Sequence, residues 1–178
     1  MRLPWKWSPP IYVTDLAPPL RSLLLEPRSL TRRLVALSEG QFRVRLDRWR
    51  WQLPHAEEAR LLGLRTREGA WIREVTLFCR DVPTVYARSV IPATALRGKF
   101  RRLTHLGTRP LGEFLFTEKG VNRGNMQLLR LRSGHVLYEG AVQRAAQEVS
   151  EFWGRRSLFY VYNEPLLVAE IFLTDIVT

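Results

Sequence analysis

Apolar residues recur at two periods along this chain. Alternation places side chains on opposite faces of a strand, whereas spacings of three and four residues mark helices. After a Pro-containing entry, Asp15 followed by Pro18 and Pro19 predicts a helix start, since proline is tolerated in a first turn whose amides have no intrahelical acceptor. Leu20, Leu23 and Leu24 give that helix an apolar stripe, and Pro27 stops it. Ser29 is placed to cap a second helix carrying Leu30, Leu34 and Leu37, which makes a helical hairpin around EPRSLTRRL.

From residue 41, QFRVRLDRWRWQL sets Phe42, Val44 and Leu46 against Arg43, Arg45 and Asp47, the pattern of a strand wet on one side at a sheet surface. EEARLLGL predicts a short helix, AWIREVTLFCR and TVYARSVIP two strands joined by a turn around Asp81 to Pro83, and ATALRGKFRRL another helix. LGTRPLGEFLF, Leu106 to Phe116, reads as a loop leading into a short helical segment. From Val121 the chain is expected to pair as a hairpin with MQLLRLR as a strand, before a helix over 139–152 that aligns Ala141, Ala145, Val149 and Phe152. WGRRSLFYVY and PLLVAEIFLTDIV then form two strands around a turn at Asn163 to Pro165. Hairpin-linked strands with helices between them predict an α+β fold, a single domain on an antiparallel sheet.

The chain has 178 residues, 46% of them hydrophobic, enough for one core and too few for two large domains. MRLPWKWSPP holds no apolar run of signal-peptide length, and no stretch approaches the roughly 20 apolar residues that cross a bilayer. A cytoplasmic protein without membrane insertion is expected. Cys79, the only cysteine, has no disulfide or CxxC partner within the chain, which suits a reducing compartment. Lys plus Arg number 28 against 17 Asp plus Glu, a net charge of +11. That excess fits a nucleic acid, a membrane surface, a small anionic ligand or simply arginine-covered solvated faces, and composition does not choose among them.

Most catalytic signatures are missing. His55, His105 and His135 stand apart with no metal-ligand spacing, and there is no GxSxG elbow, Walker loop or dinucleotide-binding GxGxxG. Gly120 and Gly124 in KGVNRGN read as turn glycines, and Cys79 beside Phe78 reads as a small core residue. What remains is charge embedded in apolar strands. In AWIREVTLF, Arg73 shares a face with Trp71, Val75 and Leu77; in PLLVAEIFL, Glu170 shares one with Leu166, Val168 and Phe172. An unpaired, dry guanidinium would cost several kcal/mol, so the two charges imply either a buried salt bridge or a shared ligand cavity. In the second case the arginine grips a carboxylate and the glutamate holds a hydroxyl.

The segments SLTRRL, WIREV, ARSVIP, LGTRPLGEFLF, WGRRS and PLLVAEIFL, in this order, resemble the chorismate lyase family of ubiquinone biosynthesis over residues from roughly 15 to 173. The resemblance implies a chorismate lyase-like fold whose helical flaps cover an internal pocket. It also implies a reaction without metal or organic cofactor: elimination of pyruvate from chorismate to leave 4-hydroxybenzoate. By position, Arg73 would grip the ring carboxylate, Glu170 would face the hydroxyl, and Leu30 and Leu111 would border the pocket and offer main-chain groups. Trp71, Val168 and Phe172 would form apolar walls. Methionine is a familiar occupant at Leu30, and a backbone contact would tolerate the change.

Residues 118–152 form a longer insertion than expected for the family, and residues 1–14 an N-terminal extension. Arg155 and Arg156 of WGRRS are read as structural. The expected partners are chorismate and its two products, with tight product retention in a monomer that needs no nucleic acid. Two rivals are a non-catalytic aromatic-acid sensor of the same fold and a basic nucleic-acid-binding protein, the latter suggested by interleaved Arg and Trp in RVRLDRWRWQ.

Overall fold

Alternation along six segments builds one sheet with two different faces. A computed structural model describes residues 16–147 and 149–174, residue 99 by its backbone alone. Its elements are α1 (Pro18–Leu24), α2 (Leu30–Leu37), β1 (Phe42–Gln52), α3 (Ala56–Leu62), β2 (Ala70–Cys79), β3 (Val82–Ile91), α4 (Leu111–Thr117), β4 (Val121–Leu131), α5 (Tyr138–Val142), β5 (Phe152–Val161) and β6 (Glu164–Phe172). The strands are antiparallel in the order β1-β2-β3-β6-β5-β4, which makes this a single α+β domain. The proposed 1–14 extension and Asp15 lie outside the described residues.

The N-terminal helical hairpin forms as its residues dictate. Pro18 and Pro19 occupy the first turn of α1, and Ser29 Oγ accepts from the Arg32 amide to cap α2. Leu20, Leu23, Leu24, Leu30 and Leu34 bury this hairpin against Val75, Leu77, Val85 and Phe172 of the sheet. At the β5–β6 hairpin, Tyr162 and Asn163 both adopt positive φ, the conformation a tight two-residue turn requires.

Three expectations change. ATALRGKFRRL forms 3₁₀ segments at Ala93–Ala95 and Gly98–His105 rather than an α-helix, with Gly98 at φ 53° interrupting the helical path. Val121 opens a strand that runs to Leu131 and pairs with β5 across a long connection instead of forming a local hairpin. The helix over 139–152 is confined to α5. Its Phe152 starts β5 opposite Leu131, so cross-strand pairing overrides the apolar spacing there.

Candidate functional site

Cross-strand register decides which charges share a face. Arg73 on β2 lies opposite Ser89 on β3, which lies opposite Val168 on β6 and then Ser157 on β5. The adjacent row runs Val75, Ala87, Glu170, Arg155. Arg73 and Glu170 therefore project from the same face with one strand between them. Two interstrand steps and an offset of two residues along the strands put their backbones about 12 Å apart. They form no salt bridge with each other, so the choice left open by the sequence falls to a shared cavity.

That cavity lies between this face and the first turns of α2 and α4. Its volume is about 40 Å³, room for a few waters, and the first turns of α2 and α4 cover it. Arg73, Leu111 and Glu170 all line it, as do Thr31, Ser89 and Val168. The Leu30 side chain turns instead into the core of the helical hairpin, while its main chain forms the first turn of α2. Trp71 and Phe172 also pack in flanking core clusters, leaving Val168 of the three expected walls at the cavity. A Cβ added at Gly112 would lie 3.3 Å from Thr31 Oγ1 and 3.7 Å from Ser29 Oγ, so glycine permits the close meeting of α2 and α4. First-turn amides have no intrahelical acceptor, which leaves main-chain donors at Leu30 and Leu111.

Arg73 is 3% exposed. Its Nη2 donates to the carbonyls of Gly107 at 3.0 Å and Arg109 at 2.8 Å, in the loop leading to α4. No carboxylate pairs with it among the described residues, and its buried Nε has no partner. Burial pulls its pKa down to about 10.

Glu170 is held differently. Arg155 stands opposite it on β5 and donates from Nε to Glu170 Oε2 at 2.6 Å. Nη1 of the same guanidinium reaches the carbonyls of Leu23, Leu24 and Glu26 at 3.2, 3.4 and 2.6 Å, closing the end of α1. Arg155 thus anchors the end of α1 and also orients a cavity residue while lining the cavity itself. Arg156 points elsewhere, to Gln127 and Glu57.

The opposite face answers for the glutamate in AWIREVTLF. Glu74 accepts from Arg88 at 2.7 Å and from Tyr86 at 2.9 Å, while Arg88 forks onto both oxygens of Glu58 on α3. Arg144 links Glu74 to Asp47 at 3.2 and 2.7 Å. Burial opposes ionisation of both carboxyls, but hydrogen bonds outweigh it: from Tyr86 and Arg88 to Glu74, and from Thr76 and Arg144 to Asp47. Both pKa values end below the ordinary carboxylate range. This network holds the back of the sheet. Spacing gave no sign of it, since its members come from five elements or connections. In the RVRLDRWRWQ segment, Trp49 stacks on Trp71 at 4.9 Å, so one of the two aromatic platforms is occupied internally.

Among the described residues no cluster of three His, Cys, Asp or Glu side chains could hold a metal, and no helix is long and apolar enough to cross a membrane.

Solved structures share this fold. PhnF from Mycobacterium smegmatis matches with a TM-score of 0.62 at 15% identity, over 86% of this chain and 67% of its own. The ligand-binding domain of a putative GntR-family transcriptional regulator from Bordetella bronchiseptica matches at 0.55 and 24% identity, over 76% of this chain and 86% of its own. Sequence narrows the class further. The family described as Chorismate lyase matches residues 4–178, and the chain belongs to that family. A probable chorismate pyruvate-lyase from Methylococcus capsulatus is 42% identical over 89% of this chain and 97% of its own length. One from Halorhodospira halophila is 39% identical over 95% and 90%.

Proposed function

We propose that this protein eliminates pyruvate from chorismate to leave 4-hydroxybenzoate, the step that feeds ubiquinone biosynthesis. The observation that carries the reading is Arg73, a cation on the cavity wall with carbonyls and no carboxylate for neighbours and with an unpartnered Nε. A buried guanidinium in that setting is a receptor for a carboxylate, which it can engage through the N–H groups that the two carbonyls leave free, Nε among them. The family membership and the relatives' names support chorismate as the source of that carboxylate.

Glu170 then meets the ring hydroxyl. The apolar surroundings, Val75, Leu115 and Val168 among them, exclude water and strengthen both contacts. In the reaction the C3–O bond breaks and its electron pair leaves with the enolpyruvyl group. The ring loses its C4 hydrogen and becomes aromatic, and enolpyruvate takes up a proton to give pyruvate. Aromatisation drives the step, so positioning suffices in place of a strong nucleophile. Glu170 has two roles compatible with its place: orienting the hydroxyl while hydrogen passes within the substrate, or accepting the ring proton as a general base. The product keeps both recognised groups, so it should be held tightly until α2 and α4 separate.

Purified protein mixed with chorismate in a chelator should release pyruvate and 4-hydroxybenzoate in equal amounts. A folded protein that binds 4-hydroxybenzoate without turnover would instead be a sensor of aromatic acids. Absence of both turnover and binding would remove the pocket assignment.

A further inference from the structure

The cavity wall carries three arginines and one glutamate. Arg155 is committed to Glu170 and to carbonyls, which leaves two guanidiniums, Arg73 and Arg123, without a carboxylate. Arg123 sits on β4 opposite Phe159. Its Nε donates to Ser157 Oγ at 3.0 Å and its Nη1 to the Pro27 carbonyl at 2.8 Å, while Nη2 makes no hydrogen bond to the described residues. Its guanidinium carbon stands 5.7 and 5.5 Å from the ring centroids of Phe116 and Phe159. Burial, then the nearby charge of Arg155, push its pKa below the ordinary arginine value against the pull of Glu170 and Glu26, and an added anion would offset that shift.

Strand order gives the spatial relation. Glu170 on β6 lies two strands from Arg73 on β2 and two strands, in the other direction, from Arg123 on β4. In chorismate the ring carboxylate and the hydroxyl are para to one another, and the enolpyruvyl ether is on the carbon beside the hydroxyl. With the carboxylate at Arg73 and the hydroxyl at Glu170, one rotation about the ring's carboxylate–hydroxyl axis turns that side chain toward β5 and β4, where Arg123, paired with Phe159, reaches back along β5 to Ser157. We infer that Arg123 binds the second carboxylate of the substrate, the one that departs as pyruvate. This rests on the chorismate reading and adds to it a residue that distinguishes substrate from retained product.

Arg73 should serve both substrate and 4-hydroxybenzoate, whereas Arg123 has nothing to hold once pyruvate is gone. The test is to titrate 4-hydroxybenzoate by calorimetry and to measure chorismate by competition against it and by KM, for wild type, Arg123→Gln and Arg123→Lys. Arg123→Gln should weaken chorismate roughly 10- to 100-fold, the usual effect of losing a charge-assisted contact, and leave 4-hydroxybenzoate within about twofold. Arg123→Lys should recover part of the loss. An equal weakening of both ligands would mean that Arg123 only braces Pro27 and Ser157, and unchanged chorismate affinity would remove it from the site; either result overturns the inference. Wild-type turnover is scored separately. Its absence would remove the reaction reading, while the ratio of the two affinities would still decide whether Arg123 reads a second carboxylate.

Discussion

Arg155 and Glu170 face each other directly across β5 and β6, and their 2.6 Å contact joins the cavity glutamate to the guanidinium that closes the end of α1. One buried side chain therefore aligns Glu170 and anchors the first helix of the cover. Removing a single partner of such a pair strands the other group and also the α1 carbonyls. Arg155→Met should lower the free energy of unfolding by about 3 kcal/mol in urea titrations. It should also cost turnover beyond what the lost stability explains, because Glu170 loses its orientation. A loss under about 1 kcal/mol would contradict the anchoring role.

The back-face network makes stability depend on acid. Asp47 and Glu74 have folded-state pKa values below their ordinary 3.8 and 4.5. Their stabilisation is present above those ordinary values and is lost as pH falls through the lower folded ones. Denaturant titrations from pH 7 downward should show stability declining below about pH 4.5. Glu74→Gln should be less stable at neutral pH and lose less on acidification, since one of the titrating groups is gone. Parallel curves for the two proteins would contradict the assignment.

Arg73 predicts an alkaline limb in activity. Burial lowers its folded pKa to about 10, so its charge is lost as pH rises through that value. Both chorismate carboxylates stay ionised throughout, and kcat/KM, which reports the free enzyme, should fall above pH 10. Stability should not fall for the same reason. The unfolded chain holds this proton to higher pH, so above pH 10 the Arg73 contribution to stability rises with pH. A kcat/KM flat from pH 8 to 11 in folded protein would contradict the receptor role.

Strand alternation was enough to find Arg73 and Glu170, because a charge within an apolar face is visible at period two. The antiparallel α+β class was legible too, from the hairpin turn at Asn163 and the helix-stopping Pro27. What alternation could not give was pairing. Whether Arg73 meets Glu170, and that Arg155 does, depends on strand order. The Arg88, Glu58 and Glu74 cluster depends on α3 folding onto the sheet. A bulge between Leu46 and Arg48 resets the faces of β1, bringing Trp49 opposite Arg73, and nothing in QFRVRLDRWRWQL marks it. The resemblance to chorismate lyases supplied Leu111, which lines the cavity, and Leu30, whose side chain enters the core beside it. Arg123 gave no sequence signal: its cavity role follows from β4 pairing with β5 far along the chain.

Gly112 tests the flaps. Its missing side chain lets α4 approach Thr31 and Ser29 of the α2 cap. Gly112→Val should wedge the two helices apart and accelerate release of 4-hydroxybenzoate severalfold in stopped-flow displacement. If release limits turnover, kcat should rise while product affinity falls. Unchanged release would mean that the product leaves by another route.

The most direct test of the account is turnover of chorismate by Arg73→Met, which keeps an apolar side chain in the wall and removes the charge. With the variant shown to be folded, pyruvate and 4-hydroxybenzoate formation should both fall by at least about 1,000-fold in kcat/KM, reflecting loss of a buried ion contact of about 4 kcal/mol. Retention of more than about a tenth of wild-type kcat/KM would contradict the claim that Arg73 receives the ring carboxylate.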